Sequence, residues 1–386
     1  MKKQKLTYIA NLRLPTEKAH SIQIMKMCEA FSLQDVEVEL IIPSKRNNLG
    51  ELEVFKYYGI QKPFKVKRIP STDLLGGTIL FGQLFYWIDL VTFLISLYFK
   101  SRIEKGSIIY SRDPILLLPF SWRDYRLVVE IHSLPVRRRF FLKLLSRASI
   151  VVVLTKYLKD VLVDSGFSEN IITVAPDGVD IKAFGLNLSK EEVRQKLGLP
   201  KEVLLVGYVG AFKTMGMEKG IDTALKSFKS FKGKATLVLV GGHETDIEFY
   251  KKIARDLAIA ERVIFVGRVS PSMVPFYLKS FDVLIAPFPE NQHYKYYMSP
   301  LKLFEYMASG VPIILSDLPS LREIVDKSSA TFFQPGNPED LAVAINHALN
   351  NPEESKKKVD KSLVLAQEHT WIRRAYDIFN FAKRLK

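Results

Sequence analysis

The sequence predicts an α/β protein built from two doubly wound parallel-sheet domains, and two observations carry that prediction. Its 386 residues exceed the size at which one core usually stops growing, so two domains of roughly 150–200 residues are expected. From residue 201 onward, short apolar runs alternate regularly with helical patterns. Runs continuous in apolar residues are the mark of parallel strands covered on both faces. With 47% hydrophobic and 25% charged residues, the chain is globular in composition rather than disordered or fibrous.

In the first half, KLTYIANL, EVELIIP, FKVKRIP, SIIYSRD, RLVVEIH, SIVVVLT and IITVAPDGVD read as strands, with helices near residues 19–32 and 80–103. The opening MKKQKLTYIANLRLP is basic like a signal peptide, but its apolar run is short and broken by Asn11 and Arg13, so it reads as the first strand. In the second half, the strands are EVLLVGYVG, ATLVLVGG, RVIFVGRV, DVLIAPF, VPIILSD and ATFFQPG. Helical patterns such as EKGIDTALKSFKSF, TDIEFYKKIARDLAI, PSMVPFYLKSF, SPLKLFEYMAS and PEDLAVAINHALNN separate them. The stretch KAFGLNLSKEEVRQKLGLPKE carries no strand, and a linker is expected near 183–200. The domain limits that follow are 1–185 and 201–365. A closing amphipathic helix, TWIRRAYDIFNFAKRLK within 366–386, is expected to cross back onto the first domain.

A lone cysteine, Cys28, forms no intramolecular disulfide and fits a reducing, cytoplasmic compartment. The net charge of +15 asks for an acidic partner or surface, or else reflects a merely basic cytosolic background, and residues 1–185 hold 27 Lys and Arg against 18 Asp and Glu. The densest cluster, Val136–Arg147, alternates basic and apolar residues at helical spacing. It reads either as a membrane-surface helix or as a solvated face with Phe140, Phe141, Leu144 and Leu145 turned inward. Leu80–Phe99 is nearly long enough to span a bilayer, but Gln83, Asp89, Thr92 and Ser96 interrupt it. It reads first as a packed core helix, with an interfacial helix and a transmembrane span as alternatives. No nucleic-acid-binding module is recognisable, so nucleic acid is not expected as a partner.

Ligands of open α/β sheets bind outside the C-terminal strand ends, and two such domains facing each other would enclose one cleft. The first loop of the second half, GYVGAFKTMGMEKGID, joins a strand to a helix. Gly210 there lets backbone approach a ligand, and Lys219 precedes Gly220 at the helix entrance, an arrangement suited to a diphosphate. The loop has neither G-x4-GK[ST] nor G-x-G-x-x-G. Further on, Ser299 reads as an N-cap and Pro300 as the first helical residue, leaving the amides of Leu301, Lys302 and Leu303 aimed at an anion. Lys302 would neutralise that anion, while Glu305, one turn deeper, can accept hydroxyl hydrogen bonds from a ribose. The plainer reading is an i,i+3 Lys–Glu surface pair.

The combined pattern EKGID, VLVGG, VIFVGRV and YMSPLKLFEYMASGVPIILSD resembles family 4 of the retaining glycosyltransferases, which have the GT-B fold of two facing Rossmann-like domains. The resemblance runs over nearly the whole chain. NLRLPTEKAHSIQIMKMCEAF is similar to the family's loop and helix after the first strand, and VAPDGVD to its P-N-G-V-D segment, with Asp177 in the asparagine position. It implies that Lys219 and Lys302 hold the diphosphate of a nucleotide-sugar donor, that Glu305 holds the ribose, and that Gly267 and Arg268 border the base. His132 of EIH would sit beside the transferred sugar.

Two positions depart from the family pattern. Tyr297 stands where the first glutamate of Glu-x7-Glu belongs, a usual ligand of donor-sugar hydroxyls, and Ala211 replaces a basic residue whose phosphate contact Lys213 could make instead. The implied activity is transfer of a sugar, with retention, from a nucleotide-diphosphate donor to a glycan or lipid-linked acceptor. No cofactor is expected, and no metal, since no Asp-x-Asp motif or His/Cys cluster of metal spacing follows a strand. A non-catalytic GT-B partner subunit, or an epimerase or hydrolase of the same donor, are the alternatives. The protein would be cytoplasmic, on or near an anionic membrane surface.

Overall fold

Among the described residues, thirteen parallel strands in two sheets account for every strand the periodicity marked. The structure is a computed structural model that describes residues 3–16, 18–46, 53–74, 82–135, 138–214 and 216–384. The chain divides into two compact units, one of residues 1–176 with 371–386 and one of residues 177–370.

The first unit holds β1 (Lys5–Ile9), β2 (Glu37–Pro43), β3 (Lys65–Ile69), β4 (Ile108–Ser111), β5 (Arg126–Ile131), β6 (Ile150–Val153) and β7 (Ile172–Val174), ordered β3-β2-β1-β4-β5-β6-β7. The order reverses between β1 and β4, where Tyr8 lies beside Tyr110 in register. β4 and β6 are buried at every residue, which is why they read as unbroken apolar runs. The closing helix, Trp371–Arg384, belongs to this unit, where it packs along the Ala19–Ser32 helix. Ala375, Ile378 and Ala382 are its buried stripe.

The second unit holds β8 (Leu204–Val209), a small hairpin of β9 (Lys213–Thr214) and β10 (Met217–Glu218), then β11 (Ala235–Val240), β12 (Val263–Gly267), β13 (Val283–Ala286), β14 (Ile313–Ser316) and β15 (Thr331–Phe333). Its six-stranded sheet runs β12-β11-β8-β13-β14-β15, with the reversal between β8 and β13. Sheet faces are covered by two apolar clusters, one around Phe281, Phe304 and Leu321, the other around Phe228, Leu237 and Ile345.

The expected linker at 183–200 is instead folded into the second unit. Helix Lys190–Leu197 has a capping box between Ser189 and Glu192 and ends on Gly198 in the left-handed conformation. Its Arg194 pairs with Asp282 at 2.6 Å, and Asp282 also accepts from the amide of Leu205 at 2.7 Å. Absence of a strand pattern marked the segment, but a short helix needs none. The closing helix likewise starts later than 366, because Pro352–Glu368 is a helix of the second unit and Thr370 bridges to Val179.

The Gly82–Lys100 helix also departs from expectation. By length and mean hydropathy it could cross a membrane, yet only Asp89, Leu90, Phe93 and Leu97 are buried, so it is not a core helix. Leu80 and Phe81 of the expected stretch lie outside the described residues. In the basic cluster, residues 138–145 form a helix whose only buried residue is Leu145, and Phe140 points outward rather than inward. Val136 and Arg137 lie outside the described residues.

Candidate functional site

The crevice between β8 and β13 is where an open α/β sheet of this order takes a ligand, and the side chains that converge there come from three loops. Beyond β8, Gly210 adopts φ 140°, and a Cβ at that position would stand 2.9 Å from Nζ and 3.1 Å from Cε of Lys302. Glycine is therefore required for the lysine to lie across the strand end. Gly220, with φ 80°, begins the Ile221–Ser230 helix, and a Cβ there would meet the carbonyl oxygen of Pro287 at 1.6 Å. That contact brings the helix start against the loop after β13.

The Leu301–Ser309 helix carries Lys302 and Glu305. Tyr306 ties it to the sheet, its hydroxyl accepting from the amide of Val209 at 2.9 Å. Pro300, not Ser299, is the N-cap. The hydroxyl of Ser299 instead accepts from the amide of Asp177 at 2.9 Å, so it is spent outside the helix. The Pro300 carbonyl accepts from Leu303 at 2.9 Å, which removes that amide from the free set. Among the described residues, the amides of Leu301 and Lys302 keep the uncommitted donors at this positive helix end.

Lys302 is buried, and its Nζ has no hydrogen-bond partner among the described residues. It lies 3.6 Å from the centroid of the Tyr208 ring and 5.2 Å from that of Phe288. Burial first, then the charge of Lys219, hold its ammonium well below the ordinary lysine range, while Glu305 opposes the shift. Lys219 is itself lowered to about 8 by burial. Glu305 is half-buried, and burial pushes its carboxyl up to about 7 against the pull of Lys302. Two lysines, two amides and a carboxyl held part-neutral thus converge on one place. An unpaired buried ammonium costs stability unless a ligand offsets it, and a dianion beside hydroxyl groups matches this set.

The other expected residues are arranged less uniformly. Lys213 lies 3.5 Å from Glu218 and 3.7 Å from Asp246, with its ammonium over the Phe249 ring, so carboxylates occupy it. Gly267 ends β12 with φ 84°, and its carbonyl accepts from Gly241. Arg268 is exposed against the imidazole of His243. Tyr297 is buried and its hydroxyl meets Gln292 at 3.4 Å. It closes one turn of π-helix, His293–Tyr297. In that turn His293 is lowered by burial and by the charge of Lys219, which brings it into the same neighbourhood.

His132 belongs to the first unit and follows β5. Its Nε2 lies 2.6 Å from Oε1 of Glu130, which is fully buried. Glu130 also pairs with Arg374 at 3.0 Å, accepts from Gln23 at 2.7 Å and takes the hydroxyl of Tyr110. Burial opposes its charge, yet Arg374, His132 and Arg112 hold the carboxyl well below the usual range. His132 is pushed down to about 4 by burial and Arg112. It is therefore neutral near pH 7, with Nε2–H donating to an acceptor-only carboxylate and Nδ1 left as an acceptor. His132, Arg112, Asp113, Ser133 and Phe141 line a cavity of about 350 Å³.

Sequence reasoning missed Tyr208, Phe288, His293 and Tyr306 in one unit, and Glu130, Arg374 and Gln23 in the other. Only Glu130 left a signal, two residues before His132 and so on the same face of an extended chain.

Residues 189–362 match the family model described as glycosyl transferases group 1. A curated relative, alpha-monoglucosyldiacylglycerol synthase of Streptococcus pneumoniae, is 29% identical over 225 residues, 55% of this chain and 45% of that protein. The chain spans about half to two thirds of the length of the curated relatives it matches. Among solved structures, sucrose-phosphate synthase from Thermosynechococcus elongatus superposes with a TM-score of 0.79 at 18% identity, covering 99% of both chains. Anabaena HepE in complex with UDP and glucose does so with a TM-score of 0.74 at 16% identity, covering 99% of this chain and 100% of that one. These likenesses show the fold, two Rossmann-like parallel-sheet domains.

Proposed function

We propose that this protein, whose residues 189–362 match the model of the glycosyl transferases group 1 family, is a glycosyltransferase. It would move a sugar from a nucleotide-diphosphate donor to a glycan or lipid-linked acceptor. The observation that carries the reading is the buried, unpartnered ammonium of Lys302 at a helix N-terminus. Such a group is explained by an anion that arrives with the substrate. Lys219, Lys302 and the amides of Leu301 and Lys302 hold the diphosphate and stabilise the charge that grows on it as the sugar leaves. Glu305 accepts hydroxyl hydrogens of the ribose, and Gly267 and Arg268 border the base. HepE, whose structure holds UDP and glucose, supports a donor of this class.

Transfer proceeds with retention and without a metal, the lysines and helix amides supplying the field that Mg²⁺ provides elsewhere. The protein acts in the cytoplasm or at the cytoplasmic face of the membrane. Incubation of purified protein with a panel of nucleotide-diphosphate sugars and a membrane extract in excess EDTA, read by mass spectrometry, tests this. A glycosylated product is expected, and anomeric analysis should find the donor's configuration kept. Donor hydrolysis alone, or a product that requires added Mn²⁺ or Mg²⁺, would overturn the corresponding part of the reading.

A further inference from the structure

We infer that the Gly82–Lys100 helix of the first unit, with Trp122 and Arg123, is a docking surface for an anionic phospholipid bilayer. The inference deepens the acceptor side of the proposed function and rests on it only for the substrate delivered there.

The helix carries apolar residues on both faces. On the inner face Leu90, Phe93 and Leu97 are buried together with Asp89, which accepts from the hydroxyl of Thr72 at 2.7 Å and from the amide of Leu74 at 3.1 Å. Thr92 accepts from the amide of Thr72 at 3.2 Å. On the outer face Leu84, Trp87, Val91, Ile95 and Tyr98 recur every three or four positions and are all exposed, Trp87 by 52% and Ile95 by 53%. A helix in contact with water alone would present a polar outer face, and an apolar stripe of this length marks an interaction surface.

The rim identifies the occupant. The guanidinium of Arg123 lies 4.9 Å from the centroid of the Tyr98 ring, and that of Arg147 lies 4.9 Å from the centroid of Trp122, which is 74% exposed. Exposed aromatic rings bearing cations suit the boundary between acyl chains and phosphate headgroups. A second copy would face these arginines with themselves, since a twofold interface presents one patch to its own image. Anionic lipid complements the charge instead.

The full chain is mixed with vesicles of phosphatidylcholine, or of equal parts phosphatidylcholine and phosphatidylglycerol, and sedimented. Binding to the anionic vesicles is expected, weakening as salt rises. Brominated lipid should quench Trp87 and Trp122 but spare Trp371, which is buried. Ile95→Glu, at an exposed position, should melt like wild type and bind at least about ten-fold more weakly. Wild-type protein left in the supernatant, or unchanged binding by Ile95→Glu, would overturn the inference. So would a dimer, seen by sedimentation velocity without lipid, that Ile95→Glu dissociates. UDP titrated into the same samples separates the two readings. Wild-type protein that binds UDP but not the vesicles removes the docking surface alone, and wild-type protein that binds the vesicles but not UDP removes the donor site alone.

Discussion

The ammonium of Lys302 stands 3.6 Å from the centroid of the Tyr208 ring, with Gly210 shaped to admit it and its Nζ without a hydrogen-bond partner among the described residues. A site held open for an anion in this way carries its cost in the unliganded protein. Lys302→Met, similar in length and apolar, should therefore raise the melting temperature while removing binding of nucleoside diphosphates. Transfer should fall more than binding, because leaving-group charge grows at the transition state. Melting curves and calorimetric titration with UDP check both. A variant that melts lower yet binds UDP normally would assign Lys302 a structural role.

Glu305→Gln keeps one acceptor and loses the charge. A charge-assisted hydrogen bond is worth roughly 1.5–3 kcal/mol, so the dissociation constant for nucleoside diphosphate should rise about ten-fold or more. The carboxyl, raised to about 7 by burial, favours folding while protonated, and that contribution is lost as pH rises towards 7. Glu305→Gln should thus melt no lower than wild type at pH 8. Unchanged affinity for both UDP and other nucleoside diphosphates would remove the ribose assignment.

Binding should also take up protons. Lys219, lowered to about 8, is partly neutral just above that pH in the free protein, and a diphosphate beside it draws a proton on. Affinity should fall as pH rises through 8, by up to about ten-fold per pH unit. Titrations in two buffers of different ionisation enthalpy at pH 8 measure the uptake directly. A Lys219→Arg variant, which keeps its charge, should flatten the profile.

In the first unit, Arg374 and Glu130 are both buried and paired at 3.0 Å. Arg374→Met leaves the carboxylate without its main partner and should cost about 3–5 kcal/mol. His132, lowered to about 4, favours the fold while neutral; that contribution is complete above pH 6.5 and disappears as pH falls to 4. His132→Gln should reduce the acid-side slope of stability by up to about 1.4 kcal/mol per pH unit in that window. Denaturant melts at pH 4, 5.5 and 7 read both effects. His20, also lowered to about 4, keeps the remaining slope in the variant.

The sequence by itself determined the two sheets, because parallel strands buried on both faces leave continuous apolar runs that local periodicity detects. Cap chemistry and i,i+3 spacing, both local, placed Lys302 and Glu305 together near a helix start, while the link to Lys219 came from the family resemblance. Tertiary structure decided what no local pattern contains. It turned Ser299 to Asp177 rather than to its helix, and enclosed Lys302 with Tyr208 and Phe288, residues distant in sequence. It folded 183–200 onto Asp282, and it turned Asp89 inward, leaving an apolar face of its helix outside. In each case the deciding quantity was desolvation by remote residues, which fixes a side chain's partner and its charge, and which a sequence window does not record.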